Sequence, residues 1–212
     1  MKTFVMALVA GAACGLSQGA TIVVNTGAYS NGQGGEFNAV ATGLSFTPLA
    51  LTNSGSFETF CLEKSENFTP GATYNVSINT YASGGGVSGQ DSIFGDSLDE
   101  RTAYLYYAFI TGGLSGYDYA NTGVGRINSA GSLQNAIWYI EGEVATLDTA
   151  DALAFYNASA AGIGQGIGLV AVANLFDNAG APSQSQLIAV PTPGAFAAFT
   201  LAGLAAARRR RA

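Results

Sequence analysis

A small-residue apolar run that no water-soluble core has a use for lies close to the end of this chain, at residues 195–207, and it limits the folding problem to what precedes it. Val190-Pro191-Thr192-Pro193-Gly194 comes just before the run, and four consecutive arginines, Arg208, Arg209, Arg210 and Arg211, come just after. Counted from Pro191 the run is 17 residues, short of the ~20 that comfortably cross a ~30 Å hydrocarbon core. It therefore predicts a C-terminal transmembrane helix that holds a precursor briefly rather than for good. The positive-inside rule keeps the arginines cytoplasmic and leaves everything before Pro191 on the far side of the membrane. An ordinary tail anchor is the plainer alternative for the same segment.

The other end carries an export signal as well. Lys2 is a positive n-region, residues 4–13 are an apolar h-region, and Ser17-Gln18-Gly19 or the following Ala20 makes a small-residue cleavage site, the three parts of a secretory signal peptide. Gly11-Ala12-Ala13-Cys14 also has the outline of a lipobox, with Gly11 where an aliphatic residue is wanted. The chain divides into a signal peptide at 1–19, an exported passenger at 20–189 and a sorting signal at 190–212. About 170 residues make one domain of ordinary size.

The C-terminal order of Pro191-Thr192-Pro193, apolar helix and arginine cluster resembles the PEP-CTERM signal of Gram-negative bacteria. Thr192 stands where that family usually has glutamate. The resemblance implies recognition by an exosortase in the inner membrane, with signal peptidase acting at the other end. Tail removal and delivery to the cell surface or the extracellular polymer matrix then follow.

Composition removes several classes of function. Between Thr21 and Val190 the basic residues are Lys64, Arg101 and Arg126 against all fourteen acids, so the passenger carries 3 − 14 = −11. Such a surface does not bind nucleic acid, which demands cationic side chains; acidity of this kind serves solubility outside the cell. Histidine is absent, which takes away the usual proton carrier near neutral pH, the Ser-His-Asp and Cys-His arrangements, and the commonest metal ligand. No metal or cofactor is expected, and no enzyme. After signal-peptide removal Cys61 is the single cysteine. Without a disulfide partner it is a buried inert thiol, an intermolecular bridge, or a reactive group.

Periodicity predicts an α+β fold: an antiparallel β-sandwich or barrel with an inserted helical segment. Short β-prone runs at 21–25 and 37–41 flank the turn Asn31-Gly32-Gln33-Gly34-Gly35. A strand at 57–62 puts Phe60 and Leu62 on one face and Phe57, Thr59 and Cys61 on the other. Pro70-Gly71 is a turn, 73–81 a strand, and 83–89 a Gly/Ser loop. Helices follow, the first capped by Ser97 or Asp96 and ended by Gly112-Gly113, with Tyr104, Leu105, Ala108 and Phe109 as its apolar stripe. A Gly/Tyr/Asn loop then runs to Asn128, with a second helix over about 132–141 and a third over about 148–161. Gly162-x-Gly164-x-Gly166-x-Gly168 lacks dinucleotide-fingerprint spacing and is read as a loop. Strands at 169–176 and 186–190 finish the passenger.

On the second helix Leu133, Ala136, Ile137, Ile140 and Val144 form the apolar stripe, while Gln134 shares a face with Ile137, Trp138 and Glu141. A desolvated glutamine needs a partner, a backbone carbonyl or water being the most ordinary. Phe60-Cys61-Leu62-Glu63 and Leu133-Gln134-Asn135-Ala136-Ile137-Trp138 together resemble the paired motifs of bacterial thioester domains, which are surface adhesin modules. Leu133 replaces that family's threonine, and Glu63 stands where aspartate is common. The resemblance implies that Cys61 supplies the sulfur and Gln134 the acyl carbon of an internal thioester. Glu63, Trp138 and Glu141 are then its neighbours. A thioester is an activated acyl group, so an amine or hydroxyl on a target surface can displace the sulfur without a histidine. The alternative is a noncovalent structural protein of an exopolysaccharide or biofilm matrix with the same sorting tail. Asp91, Asp96, Asp99 and Glu100 lack calcium-loop spacing and are assigned to capping and solvation. Glu141 and Glu143, two apart on a helix, do not converge as a glycosidase acid pair and are read as surface acids.

Overall fold

The computed structural model describes residues 19–191 except 33, 53, 121 and 122. Residues 1–18, which the expected signal peptide spans, lie outside the described residues, as does the expected sorting signal from Thr192 onward, including Pro193 and the four arginines. Among the described residues no helix is long and apolar enough to cross a membrane.

The architecture is α+β. Strands β1 (Thr21–Ser30), β2 (Gly35–Thr42), β3 (Phe57–Thr59) and β4 (Thr73–Asn79) come first, then the short pair β5 (Tyr81–Ala82) and β6 (Asp96–Ser97). Helices α1 (Glu100–Ile110), α2 (Val124–Ile140) and α3 (Ala150–Ala158) follow, with a 3₁₀ turn at Ser159–Gly162, and β7 (Val170–Phe176) and β8 (Pro182–Ala189) close the order. Six strands make an antiparallel sheet in the order β3-β2-β1-β4-β7-β8. The helices thus enter the chain between strands of one sheet.

The segment at 57–62 divides its pairing between two neighbours. Through Thr59 it pairs with β2, with Ala39 opposite Phe57 and Phe37 opposite Thr59. Beyond Thr59 it turns to β8: Leu62 N–H donates to Ser185 O at 3.1 Å, Leu187 N–H donates to Phe60 O at 3.0 Å, and Cys61 faces Gln186. The outermost strands of the sheet are linked to each other at that point.

Alternation along these strands feeds two apolar clusters. Phe60, Leu62, Val172 and Leu187 pack with Leu105, Phe109, Leu133 and Ile137 of the helices. Phe57, Cys61, Leu175 and Ile188 pack on the other side with Ile22, Val24, Phe37 and Trp138. The period of two read from the sequence is what separates the two sets.

Several expectations change. Asp99 caps α1, its carboxylate accepting from Arg101 N–H, in place of Ser97 or Asp96. The buried face of α1 is rotated from the predicted stripe: Leu105 and Phe109 are fully buried with Tyr106 and Ile110, whereas Tyr104 is exposed. Phe109 packs edge-on to Phe60 and Tyr117, and those aromatic contacts set the face. Helix α2 begins two turns before the predicted start. Gly125 and Gly131, which argue against helix locally, are where α2 meets Asp118 and Asn31, and a Cβ at either position would collide with those side chains. Close approach overrides propensity there.

One ion pair anchors the start of α2 to the sheet. Arg126 donates to Glu36 Oε1 at 2.6 Å and Oε2 at 2.9 Å, Tyr117 Oη–H donates to the same carboxylate at 2.7 Å, and the guanidinium lies 4.2 Å from the Tyr29 ring centre. Both charged residues are buried. Removing one partner leaves the other charge desolvated, so Glu36→Ala is expected to cost about 3–5 kcal/mol in urea unfolding. The paired change Glu36→Leu with Arg126→Met is expected to recover most of that loss, because no uncompensated charge remains.

Candidate functional site

Cys61 and Gln134 meet where β2 and the strand segment at 57–62 part. Flanking bonds to β8 leave Cys61 as a non-hydrogen-bonded pair with Gln186, so its own N–H and C=O point away from β8. On that side, continuing the β2–β3 register would set Gly35 opposite Cys61. The Gln134 carboxamide stands between them. Its Oε1 accepts from Cys61 N–H at 3.1 Å and from Gly35 N–H at 3.4 Å, and its Nε2 donates to Cys61 O at 2.8 Å. A side chain from α2 thus takes the place of a strand neighbour. Glutamine suits the role because its carboxamide has the donor and acceptor of a peptide group on a side chain.

The glycines of the β1–β2 turn permit this insertion. A Cβ on Gly34 would lie 2.5 Å from Gln134 Cγ and 2.9 Å from Trp138 Cη2, and Gly35 has φ +103°. Asn31 braces the turn by accepting from Gly34 N–H, while Asn31 N–H donates to Gly34 O. The glycine-rich stretch is legible in the sequence as a turn. That it is also the wall against which Gln134 packs is not.

Chemically, a carboxamide carbon such as that of Gln134 is an electrophile. Two backbone N–H groups on its oxygen withdraw electron density and are positioned to hold the charge of a tetrahedral adduct, the donor arrangement of an oxyanion hole. The amide nitrogen, the group that would leave, is held on Cys61 O. Cys61 is the only cysteine among the described residues, free and fully buried. Burial pushes its thiol well above the ordinary range, Gln186 lowers it in part, and Glu63 raises it further. The sulfur accepts from Gln186 Nε2 at 3.6 Å.

Glu63 lies two residues along the strand from Cys61 and is 2% exposed. Its Oε2 accepts from Ser185 N–H at 3.0 Å, and among the described residues Oε1 has no partner. Burial, then the nearby charge of Glu66, lifts its carboxyl to about 7. Trp138, one turn beyond Gln134, is buried in the Cys61 cluster, with Lys64 Nζ 5.6 Å from its ring centre. A cleft of about 500 Å³ reaches Gln134 and Trp138 from outside, lined also by Lys64, Ser132, Asn135 and Asp148.

The remaining acids are placed as follows. Glu141 caps the end of α2 and accepts from Asp99 N–H at 3.4 Å, a bond to the start of α1 and not to Gln134. Its carboxyl is lifted to about 8, chiefly by burial. Glu143 is no surface acid: it is buried and accepts from Lys64, Val87 and Ser88 N–H, tying the Gly/Ser loop to the Cys61 segment. Glu100 accepts from Gly164 and Gly166 N–H, which gives the spaced glycines a structural purpose. Among the described residues no group of acids, cysteines or histidines could hold a metal ion. Scans of family models, curated proteins and solved structures return no match to this chain.

The buried acid has a consequence for stability. In the unfolded chain Glu63 ionises near its ordinary value of 4.5, whereas in the fold it keeps its proton to about 7. The folded state therefore binds more protons between those values, and stability is lost as pH rises through that window, by roughly 3 kcal/mol at most from this group. Urea titrations from pH 4 to 8 are expected to show a slope of that sign, and Glu63→Gln to remove part of it.

Proposed function

We propose that this is an exported bacterial surface or extracellular-matrix protein whose passenger forms an internal thioester between Cys61 and Gln134 and attaches covalently to a surface amine or hydroxyl. One observation carries the reading: the buried Gln134 carboxamide lies on the Cys61 backbone, its oxygen on two N–H donors and its nitrogen on a carbonyl. Sequence distance makes that meeting a demanding one, since 73 positions separate the two residues. The motif resemblance had named the same pair.

The bond change is balanced without a cofactor. The sulfur of Cys61 attacks Gln134 Cδ, the carbon–nitrogen bond breaks, and the thiol proton leaves with the nitrogen as ammonia. A target amine or hydroxyl then attacks the same carbon, the carbon–sulfur bond breaks, and the acceptor's proton returns to the sulfur. Backbone N–H groups hold the oxyanion in both steps. The 500 Å³ cleft at Gln134 and Trp138 supplies the approach for the acceptor. The protein is consumed by the reaction and is in that sense no enzyme.

The bonds joining the segment after β3 to β8 favour the barrel form of the sheet over a sandwich. For the termini, the reading rests on sequence alone: signal peptidase removes residues 1–19, an exosortase acts at Pro191-Thr192-Pro193, and the arginine-flanked helix holds the precursor in the inner membrane until then. Exopolysaccharide is the matrix partner if attachment is noncovalent.

Intact mass decides between the covalent and noncovalent readings. The purified protein is expected to weigh one ammonia less than its sequence. Methylamine should convert that species to one adduct on Gln134, and Cys61→Ala or Gln134→Ala should have the full sequence mass. An unmodified wild-type mass, with Cys61 alkylated after unfolding, would leave the structural matrix reading standing.

A further inference from the structure

Two carboxamides meet at Cys61, one on each side. Gln134 occupies its backbone, and Gln186 touches its sulfur. Cys61 and Gln186 are a non-hydrogen-bonded antiparallel pair, the cross-strand arrangement with the closer Cα atoms, about 4.5 Å apart. Gln186 is fully buried. Its Nε2 donates to Cys61 Sγ at 3.6 Å, with Gln184 O at 3.5 Å as a second acceptor, and its Oε1 lies 3.4 Å from Thr59 Oγ1. Thr59 is held in turn by donating to Leu187 O at 2.6 Å.

For stability alone, glutamine is a poor choice at this position. The same side of the sheet holds Phe57, Trp138 and Ile188, and a buried carboxamide whose acceptors are a thiol and a long contact recovers little of its desolvation cost. An apolar residue of similar volume would pack there without that cost. What the carboxamide offers is a fixed N–H directed at the sulfur, which gains negative charge when the carbon–sulfur bond breaks.

We propose that Gln186 is a catalytic residue of the Cys61–Gln134 reaction, holding the sulfur through Nε2–H and stabilising the charge that gathers on it whenever the carbon–sulfur bond forms or breaks. The inference rests on the thioester reading. In ring closure the thiol gives up its proton to the departing ammonia, and Gln186 steadies the sulfur while that proton is in transit. In acyl transfer the sulfur is the leaving group, and the same N–H supports it until the acceptor's proton arrives. Gln134 thus has its oxyanion donors from backbone, and Cys61 has its donor from a side chain on the opposite strand.

The test measures ammonia loss and the rate of methylamine incorporation by intact mass in wild type, Gln186→Leu and Gln186→Met, with urea midpoints recorded alongside. Both variants are expected to retain the wild-type midpoint or exceed it, while methylamine incorporation slows by about tenfold or more. A merely structural role would move the midpoint and leave the rate alone. Wild-type rates in a variant that still shows the ammonia loss overturn the assignment of Gln186 and leave the thioester intact. Ammonia loss that persists in Gln134→Ala also overturns it, because the acyl carbon would then belong to Gln186. A wild-type protein of full mass sinks the thioester itself, a separate outcome.

Discussion

Everything at the centre of this molecule depends on how one buried carboxamide is satisfied. Gln134 is 1% exposed, and an amide taken out of water without partners costs at least ~1–3 kcal/mol. It recovers that cost by pairing with the peptide groups of Cys61 and Gly35. The strand segment at 57–62 leaves β2 after Thr59 and joins β8, so the backbone groups of Cys61 face a gap, and only a group with both a donor and an acceptor can close it. The carboxamide and the backbone of Cys61 and Gly35 therefore satisfy each other through one set of contacts.

Charge follows a similar logic. The chain between Thr21 and Val190 is strongly acidic, yet several of its acids are buried and occupied: Glu36 by Arg126 and Tyr117, Glu143 by three backbone N–H groups, Glu63 by Ser185 N–H. These carboxylates act as acceptors that gather loops and helix starts around the sheet. Glu63 differs in having one oxygen unpartnered among the described residues and a carboxyl lifted into the neutral range. It is the group nearest in sequence to Cys61 that titrates where a protein works, in a chain without histidine.

Much of the fold was legible because alternation is a local property. The two faces at 57–62, the turn at Pro70-Gly71, the Gly/Ser loop at 83–89 and the strand at β7 follow from period-two patterning and turn residues. Helix α2 was half read: its apolar stripe at Leu133, Ala136 and Ile137 was visible, but its first two turns were hidden by Gly125 and Gly131, whose reason lies in the side chains they approach. The cap of α1 falls at Asp99 and not at Ser97 or Asp96 because three neighbouring polar residues can each cap a helix, and backbone geometry chooses among them. Glu143 looked like a solvated acid because nothing local announces the loop amides that enclose it.

From sequence alone, this chain was bound to be an antiparallel sheet with inserted helices, to lack histidine chemistry, and to offer one thiol and one tryptophan-flanked glutamine as a candidate pair. The first two follow from residue identity and short-range period, and the pair from the resemblance of its two motifs to those of thioester domains. Tertiary structure decided the rest: that Gln134 sits on the Cys61 backbone, that Gly34 leaves room for it, and that Gln186 reaches the sulfur from across the sheet. Such contacts join residues 73 to 125 positions apart, and no local pattern encodes them, because they exist only once the strands have closed on one another and excluded water.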